Sequence, residues 1–424
     1  MIGRGWRARG WPARVVLLVV LAHGWVGLAS AEPIVVRVER AHTVSGVVIS
    51  DAALVIEEGK ISWIGAQSDL AAPAGALELA AHAATPGLID ADTSAGLAGI
   101  LNVSSDRDQD EPTDPDQAEL RVIDAFNPRE PLLRYLLEHG VTIVQATPGP
   151  ANPIAGQAAI LRTHGTSVDA MLLRSPSALV FNLGDVTKQT YGAKGRFPST
   201  RMGTAALIRR RLAEGRAFVE AEEAGWLDRL AASPPPGDRR GLDVLGRTAR
   251  GELTALVRAH RADDITTVLR LVAEEGLRAV LAGGTEAYLV RDPLRAAGIS
   301  VLLGPVMERV SIPERENASY ETPALLAEAG IPFAIRSGFE SYVPRARVVL
   351  FEAAIAAANG LGPDAALRAI TLGAAELLGI EEEHGSLEVD KVADLVLFDG
   401  DPLEYTTHVV AVVANGELVH RRAP

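Results

Sequence analysis

The sequence contains no cysteine, which excludes disulfides, thiol catalysis, cysteine-ligated zinc and a lipid anchor attached to cysteine. Lysine is scarce as well, so nearly all of the 41 basic residues are arginine, and no basic run occurs. Acidic residues number 54 and give a net charge of −13. An acidic chain with only 4% aromatic residues lacks both the charge and the stacking surface that nucleic acids require. We therefore expect no nucleic-acid partner.

The remaining composition is that of a folded protein. Apolar residues make up 48% of the chain and charged residues 22%, which supplies a sizeable core and excludes general disorder. A length of 424 residues allows two or three domains, or one large α/β barrel with an appended domain.

The first 31 residues have the pattern of a signal peptide. Four arginines precede an apolar run at residues 15–22, and Ala29-Ser30-Ala31 fits the small-x-small cleavage pattern. A retained membrane anchor is the alternative, but the apolar run is shorter than the roughly 20 residues that span a bilayer. No second apolar stretch of that length follows. We predict cleavage before Glu32, a periplasmic or extracellular protein, and no stable membrane span after processing.

The rest of the chain is divided by its pattern into three parts. Residues 32–85 and 385–424 alternate apolar and polar side chains as short strands do, with Asn415-Gly416 as a hairpin turn. Residues 86–384 alternate strand and helix patterns, which is typical of a parallel sheet. The eight predicted strands of this part are 88–92, 141–146, 158–162, 178–183, 253–260, 278–283, 299–304 and 332–337. The sequence predicts an α/β fold: a TIM (β/α)8 barrel with a small β-sandwich domain formed from both chain ends.

Five motifs occur in the order found in one enzyme superfamily. They are PGLIDADTSAG (86–96), GVTIV (140–144), AHRADDI (259–265), GGTEA (283–287) and GSLEVDKVADLVLFDGDP (385–402). Together they resemble the metal-dependent amidohydrolase superfamily, and in particular its imidazolonepropionase-like and dipeptidase-like branch. The resemblance implies a split β-sandwich around a TIM barrel. It also implies hydrolysis of amide or cyclic-amide C–N bonds with one or two divalent metals, which activate water and polarise the carbonyl.

The chain departs from this family at most of the metal-ligand positions. The resemblance implies His-x-His on barrel strand 1, one His each on strands 5 and 6, a Lys or acid on strand 4 and an Asp on strand 8. Strand 4 has Val180 there, and Lys188 lies several residues later. The other corresponding positions, which we treat as a relic site, are Asp92, Ser94, His260, Gly283 and Gly338. Only His260 keeps a family ligand, and three ligands are the minimum for a metal site. His260 is alternatively a hydrogen-bonded core residue.

The sequence also indicates residues that could bind a ligand at the barrel mouth. Active-site residues of such barrels lie at the carboxyl ends of the strands. The candidates are Asn152, Gln157, Lys188, Arg201 and Arg261. Among these, Arg201 belongs to a loop, 191–203, that could clamp a carboxylate. We expect Arg261 or water beside Asp92, and a roomy cavity because two positions are glycine. Ser337 is a conceivable nucleophile, but no G-x-S-x-G motif and no neighbouring base support it.

Two functions remain open. The first is a largely non-catalytic or weakly active protein that binds a small ligand, or pairs as a subunit with an active homologue. The second is a hydrolase of amide, cyclic-amide or dipeptide C–N bonds with an altered metal site. We expect no cofactor in the first case, and one Zn²⁺, Mn²⁺ or Fe²⁺ held by His260 and Asp92 in the second. A homo-oligomer is also compatible with the sequence, which does not reveal the substrate.

Overall fold

The structure is a computed structural model, and it describes residues 32–101, 103–224, 236–307, 313–338 and 349–423. The predicted signal peptide, residues 1–31, lies outside the described residues. Among the described residues, no helix is both long and apolar enough to cross a bilayer.

Fifteen strands, labelled in chain order, form two sheets within the described residues. They are β1 (Ile34–His42), β2 (Val48–Glu57), β3 (Lys60–Ala66), β4 (Leu77–Pro86), β5 (Leu88–Thr93), β6 (Val141–Ala146), β7 (Ile154–Arg162), β8 (Leu172–Asn182), β9 (Thr254–Ala259), β10 (Ala279–Gly283), β11 (Ser300–Leu303), β12 (Phe333–Ile335), β13 (Leu395–Phe398), β14 (Val409–Ala414) and β15 (Glu417–Arg421).

The α-helices of the same residues lie mainly between the strands of the second sheet. They are α1 (Pro131–Glu138), α2 (Val168–Met171), α3 (Asp185–Gly192), α4 (Arg201–Glu223), α5 (Pro236–Ala249), α6 (Ala262–Glu275), α7 (Arg291–Ala297), α8 (Thr322–Glu328), α9 (Val349–Ala356), α10 (Pro363–Ala369) and α11 (Leu372–Leu378).

The first sheet combines both ends of the described chain. Its seven strands lie in the order β15-β14-β13-β4-β1-β2-β3. The two ends meet where β4 pairs antiparallel with β13, for example Leu397 with Ala84. Strand β1 is rich in β-branched residues, and its buried side chains, with those of β2, β13 and β14, form one apolar cluster. The predicted domain built from both chain ends is confirmed.

The second sheet is the barrel, with its eight strands in sequence order from β5 to β12. All eight predicted strand positions contain a strand. The barrel closes between its first and last strands, where Gly338 N donates a hydrogen bond to Asp92 O at 3.0 Å. Small and branched side chains, such as Ala91, Ala282 and Leu302, fill the interior.

One strand runs against the expected direction. Strand β7 is antiparallel to both β6 and β8, whereas the other neighbouring pairs of the barrel are parallel. Only residues 147–153 connect β6 to β7, which is too short for the crossover that parallel neighbours need. The expectation of eight successive parallel β/α units is therefore wrong at this strand. As a result, the start of β7 lies at the barrel face where the parallel strands end.

Helix α6 begins two residues after His260, and its sequence shows why it begins and ends where it does. Asp263 and Asp264 lie in its first turn, where carboxylates favour the positive end of the helix dipole. The helix ends at Gly276, which adopts φ +69°, a left-handed conformation that glycine adopts without steric cost.

Candidate functional site

The centre of the barrel mouth is a buried carboxylate held by two arginines. Asp92 on β5 is fully buried, and Arg258 on β9 donates from Nη2 to its Oδ1 at 2.6 Å and from Nε to its Oδ2 at 3.3 Å. Arg336, immediately after β12, donates from Nη1 to the same Oδ2. Thr147 adds a hydroxyl donor to Oδ1 at 2.5 Å. Both carboxylate oxygens are therefore occupied by charge-assisted hydrogen bonds.

The electrostatics of this cluster favour the ionised state of the carboxylate. Burial alone would raise the pKa of Asp92, but the charges of Arg258 and Arg336 hold that pKa well below its usual value. Burial lowers the pKa of Arg336, and the charge of Asp92 opposes that effect. We expect the three groups to remain charged at neutral pH, because each charge compensates the burial of the others.

Arg258 is fixed by contacts on every side of its guanidinium group. Besides Asp92 and Thr147, Nη1 donates to Pro148 O at 2.7 Å and to Asn182 Oδ1 at 3.3 Å. The Asn182 amide in turn donates to Asn152 O at 2.7 Å. Together these bonds use all five N–H donors of Arg258. Its role is therefore to hold Asp92 and the connection between β6 and β7.

His260 lies directly after β9, two residues beyond Arg258 and on the same side of the chain. Its Nδ1 is 2.8 Å from Thr285 Oγ1. Burial, and then the charges of Arg315, Arg336 and Arg258, move the pKa of His260 well below its ordinary value, so the ring is neutral at pH 7. A neutral imidazole has one N–H and one acceptor nitrogen.

The two glycines of the predicted relic site make room for larger neighbours. A Cβ at Gly283 would lie 2.8 Å from His260 Cε1, and a Cβ at Gly338 would lie 3.3 Å from Arg336 Cζ. The imidazole and the guanidinium therefore fill the space that the missing side chains leave. The cavity at this point is only about 30 Å³, so the expectation of a roomy mouth is wrong.

A second carboxylate lies beneath the first. Asp90 accepts hydrogen bonds from Ser337 N at 3.0 Å and from the Ser337 hydroxyl. Burial raises the pKa of Asp90 to about 7, although the bonds from Ser337 oppose this shift. Ser337 is fully buried, so it is not placed to attack a substrate. Ser94 Oγ, the remaining relic-site group, is buried and has no hydrogen-bond partner within the described residues.

The five predicted ligand-binding residues do not line this cavity. Asn152 accepts a hydrogen bond from the Tyr191 hydroxyl at 2.5 Å, and Gln157 donates to Ala118 O at 2.9 Å. Both residues are buried and bonded to protein groups, and their binding of a ligand stays a prediction. Lys188 lies half-buried on α3, away from the lining.

The two predicted arginines are engaged elsewhere. Arg201 donates to Asp264 at 2.8 Å and contacts Asp185 at 3.0 Å, so protein acids already occupy the guanidinium that was expected to clamp a ligand. Arg261 pairs with exposed Asp263 at 2.9 Å and not with Asp92. The expectation that Arg261 lies beside Asp92 is wrong, because Asp263 is two residues away and pairs with it. Binding of a ligand by Arg201 or Arg261 stays a prediction.

The residues at the mouth do not fit a divalent metal. In residues 32–423, apart from the segments that the structure does not describe, no three His, Asp or Glu side chains are grouped to hold an ion. An ion at Asp92 would also lie beside the two guanidinium groups that bind both of its oxygens. The positive charges of these guanidinium groups oppose the binding of a metal cation beside them.

The site residues that sequence reasoning missed are Arg258, Arg336, Thr147 and Glu314. Arg258 had a usable signal, because alternation along a strand places it on the same face as His260. Arg336 lies within a predicted strand and Thr147 follows one, but nothing in the sequence indicates that they meet Asp92. Glu314 is buried in a short 3₁₀ helix, and its Oε2 accepts a hydrogen bond from Asp185 N at 2.7 Å.

Comparison with known proteins shows similarity to amidohydrolases. The profile of the Amidohydrolase family matches residues 291–420. The chain is 26% identical to an imidazolonepropionase of Pseudomonas aeruginosa over 83% of its own length and 88% of that protein. It is 25% identical to the amidohydrolase tasK of Hapsidospora irregularis over 78% of its own length, but it spans only 36% of that relative.

Solved structures show the same similarity to amidohydrolases. A crystal structure of an amidohydrolase from Thermotoga maritima MSB8 matches 92% of this chain and all of that chain, with a TM-score of 0.86 and 28% identity. A prolidase complexed with N-methylphosphonate-L-proline shares the fold, with a TM-score of 0.57 and 18% identity. These similarities in sequence and fold confirm the predicted resemblance to the metal-dependent amidohydrolase superfamily.

Proposed function

We propose that this protein is a superfamily member in which an internal ion cluster replaces the divalent metal. It would then bind a small molecule at the barrel mouth, or serve as a subunit beside an active homologue, and have little or no hydrolytic activity. The observation that carries the proposal is the double guanidinium contact to Asp92. Arg258 and Arg336 supply the positive charge that a metal would supply, but they offer no open coordination position for water.

Hydrolysis of C–N bonds through an altered metal site is the second candidate. It is favoured by the relatives, which are named amidohydrolase and imidazolonepropionase. In this case His260 and Asp92 would have to contribute to the metal site, and Asp92 would have to leave its arginine partners. The two candidates therefore differ in metal content and in the consequence of changing these two residues.

Metal analysis of the purified chain from Glu32 onward separates them. After dialysis we expect far less than one equivalent of Zn²⁺, Mn²⁺ or Fe²⁺, and amide or dipeptide hydrolysis near background for both the wild type and His260→Ala. About one retained equivalent, lost in Asp92→Asn but kept in the exposed-site control Asp263→Asn, would refute the proposal. So would a wild-type kcat/KM of about 10⁴ M⁻¹s⁻¹ or more that His260→Ala lowers by orders of magnitude.

We also propose that residues 1–31 direct export to the periplasm or the extracellular space. The support is the sequence pattern of that segment. Assembly as a homo-oligomer, or with an active amidohydrolase, is compatible with the proposed subunit role, and size-exclusion chromatography with light scattering would measure it.

A further inference from the structure

A small cavity opens beside the arginine cluster. Its volume is about 30 Å³, and its polar lining includes Arg336, His260, Arg315 and Glu314. A water molecule needs about 10–15 Å³ of such volume, so the space holds two or three atoms of that size. The rest of the lining is more apolar and includes Pro150, Leu183 and Val186.

The arginine cluster beside this cavity has an excess of positive charge. Arg258 and Arg336 share one carboxylate, Asp92, and hold both of its oxygens. Burial raises the pKa of Glu314, the carboxyl group that lines the cavity. A neutral histidine beside these arginines adds no charge of its own.

Two donors at the cavity are not used by the described protein groups. Arg336 donates from Nε to Gly304 O at 3.1 Å and from Nη1 to Asp92, but its Nη2 has no acceptor in the described part of the chain. His260 uses Nδ1 with Thr285, and its Nε2 has no partner there either. When the Thr285 hydroxyl donates to Nδ1, the single proton of the neutral ring lies on Nε2. The cavity then presents two N–H groups from two strand ends.

We propose that this cavity binds the carboxylate group of a short-chain organic acid. One carboxylate oxygen would accept a hydrogen bond from Arg336 Nη2 and the other from His260 Nε2. The carboxylate would fill the enclosed space, and the aliphatic part would extend past the partly buried Val186 toward the open side of the cavity. This assignment rests on the proposed function, because a metal at Asp92 would displace Arg336. The size of the cavity favours a planar carboxylate over a tetrahedral phosphate.

Isothermal titration calorimetry with propionate tests the proposal. Propionamide, which has the same shape without charge, and inorganic phosphate are the comparison ligands, all at constant ionic strength. We expect saturable binding of propionate with a Kd below about 10 mM, and at least tenfold weaker binding of the other two. No saturable binding of propionate, equal binding of propionamide, or tighter binding of phosphate would each overturn it.

Variants locate the site. Arg336→Gln should weaken propionate binding at least tenfold, whereas Arg261→Gln, which removes a positive charge outside the cavity, should leave it unchanged. Arg336→Gln also removes a charged partner of Asp92. A second pair of variants, at Val186, therefore tests the location of the site independently of whether Arg336→Gln folds. Val186→Asp places a carboxylate at the cavity, and Val186→Asn places a neutral group of the same shape. We expect Val186→Asp to bind propionate at least tenfold more weakly than Val186→Asn, and equal affinities would overturn the location.

The same samples separate failure of this inference from failure of the proposed function. Metal-free protein that does not bind propionate refutes the carboxylate site and leaves the proposed function intact. Retained metal refutes the proposed function. Propionate binding that disappears on chelation would show that a metal holds the ligand, and would overturn the arginine–histidine site.

Discussion

At the scale of single residues, Asp92 and its two arginines determine the chemistry of the barrel mouth. The carboxylate is fully buried, and Arg258 and Arg336 are nearly so. Such a cluster contributes little net stability relative to an apolar core, but removing one partner leaves a charge that is buried without compensation. The cluster therefore constrains which substitutions the site tolerates.

Replacing Arg258 with Met should lower the free energy of unfolding by about 3–5 kcal/mol, because Asp92 would keep only Arg336 as a charged partner. Arg261→Met removes an arginine from an exposed pair and should change stability by less than about 1 kcal/mol. Urea unfolding of the three proteins measures this. Equal effects of the two variants would mean that the buried cluster is not held as described.

Asp90 should make stability depend on pH. Its pKa in the folded state is raised from 3.8 to about 7 by burial. The folded state therefore holds a proton that the unfolded chain has already released, and stability decreases as the pH rises from about 4 to about 7. Relative to Asp90→Asn, the wild type should lose about 1–3 kcal/mol between pH 5 and pH 8. Thermal unfolding across this range measures the difference, and parallel pH profiles of the two proteins would contradict it.

At the scale of elements, the sequence predicts where the strands lie along the chain better than it predicts their direction or which side chains meet. Motifs and alternation place all eight barrel strands, including the strand before His260. They do not reveal that β7 is reversed, since direction depends on the length of the connection at residues 147–153. Nor do they reveal the pairing of Asp92 with Arg336, because those residues meet only when the first and last strands close the barrel.

Gly283, the last residue of β10, offers a test of how closely the ends of β9 and β10 approach each other. Gly283 and Gly298 both adopt positive φ, so alanine should cost about 1–2 kcal/mol at either position. Only at Gly283 would the new Cβ meet a neighbour, the His260 ring, which should add about 1–3 kcal/mol. Chemical unfolding of Gly283→Ala and Gly298→Ala measures the difference. Equal losses would show that the histidine moves aside freely.

At the scale of the whole molecule, the first sheet depends on both ends of the chain after residue 31. Strand β1 begins at Ile34, close to the predicted cleavage site, and β15 ends at Arg421. Removal of residues 1–31 therefore leaves the described strands of the sheet complete. The predicted signal peptide and the fold are compatible in this respect.

Mass spectrometry of the exported protein tests the predicted processing. We expect a mature N-terminus at Glu32, because Ala29-Ser30-Ala31 presents small residues to the peptidase. Ala31→Arg should block cleavage, whereas Ala31→Ser should preserve it. A full-length chain in the soluble exported fraction, or cleavage at another bond, would contradict this prediction.

The reversed strand also bears on how the barrel forms. Pairing of β7 with β6 and β8 needs only short loops to close, whereas the contact of Asp90 with Ser337 joins residues 247 positions apart. Closing a longer loop costs more chain entropy, so local pairings precede distant ones during folding. In pulse-labelled hydrogen exchange during refolding, the amides of β7 should gain protection before those of Ser337 and Gly338. The mouth, with its arginines, would then be the last part of the barrel to assemble.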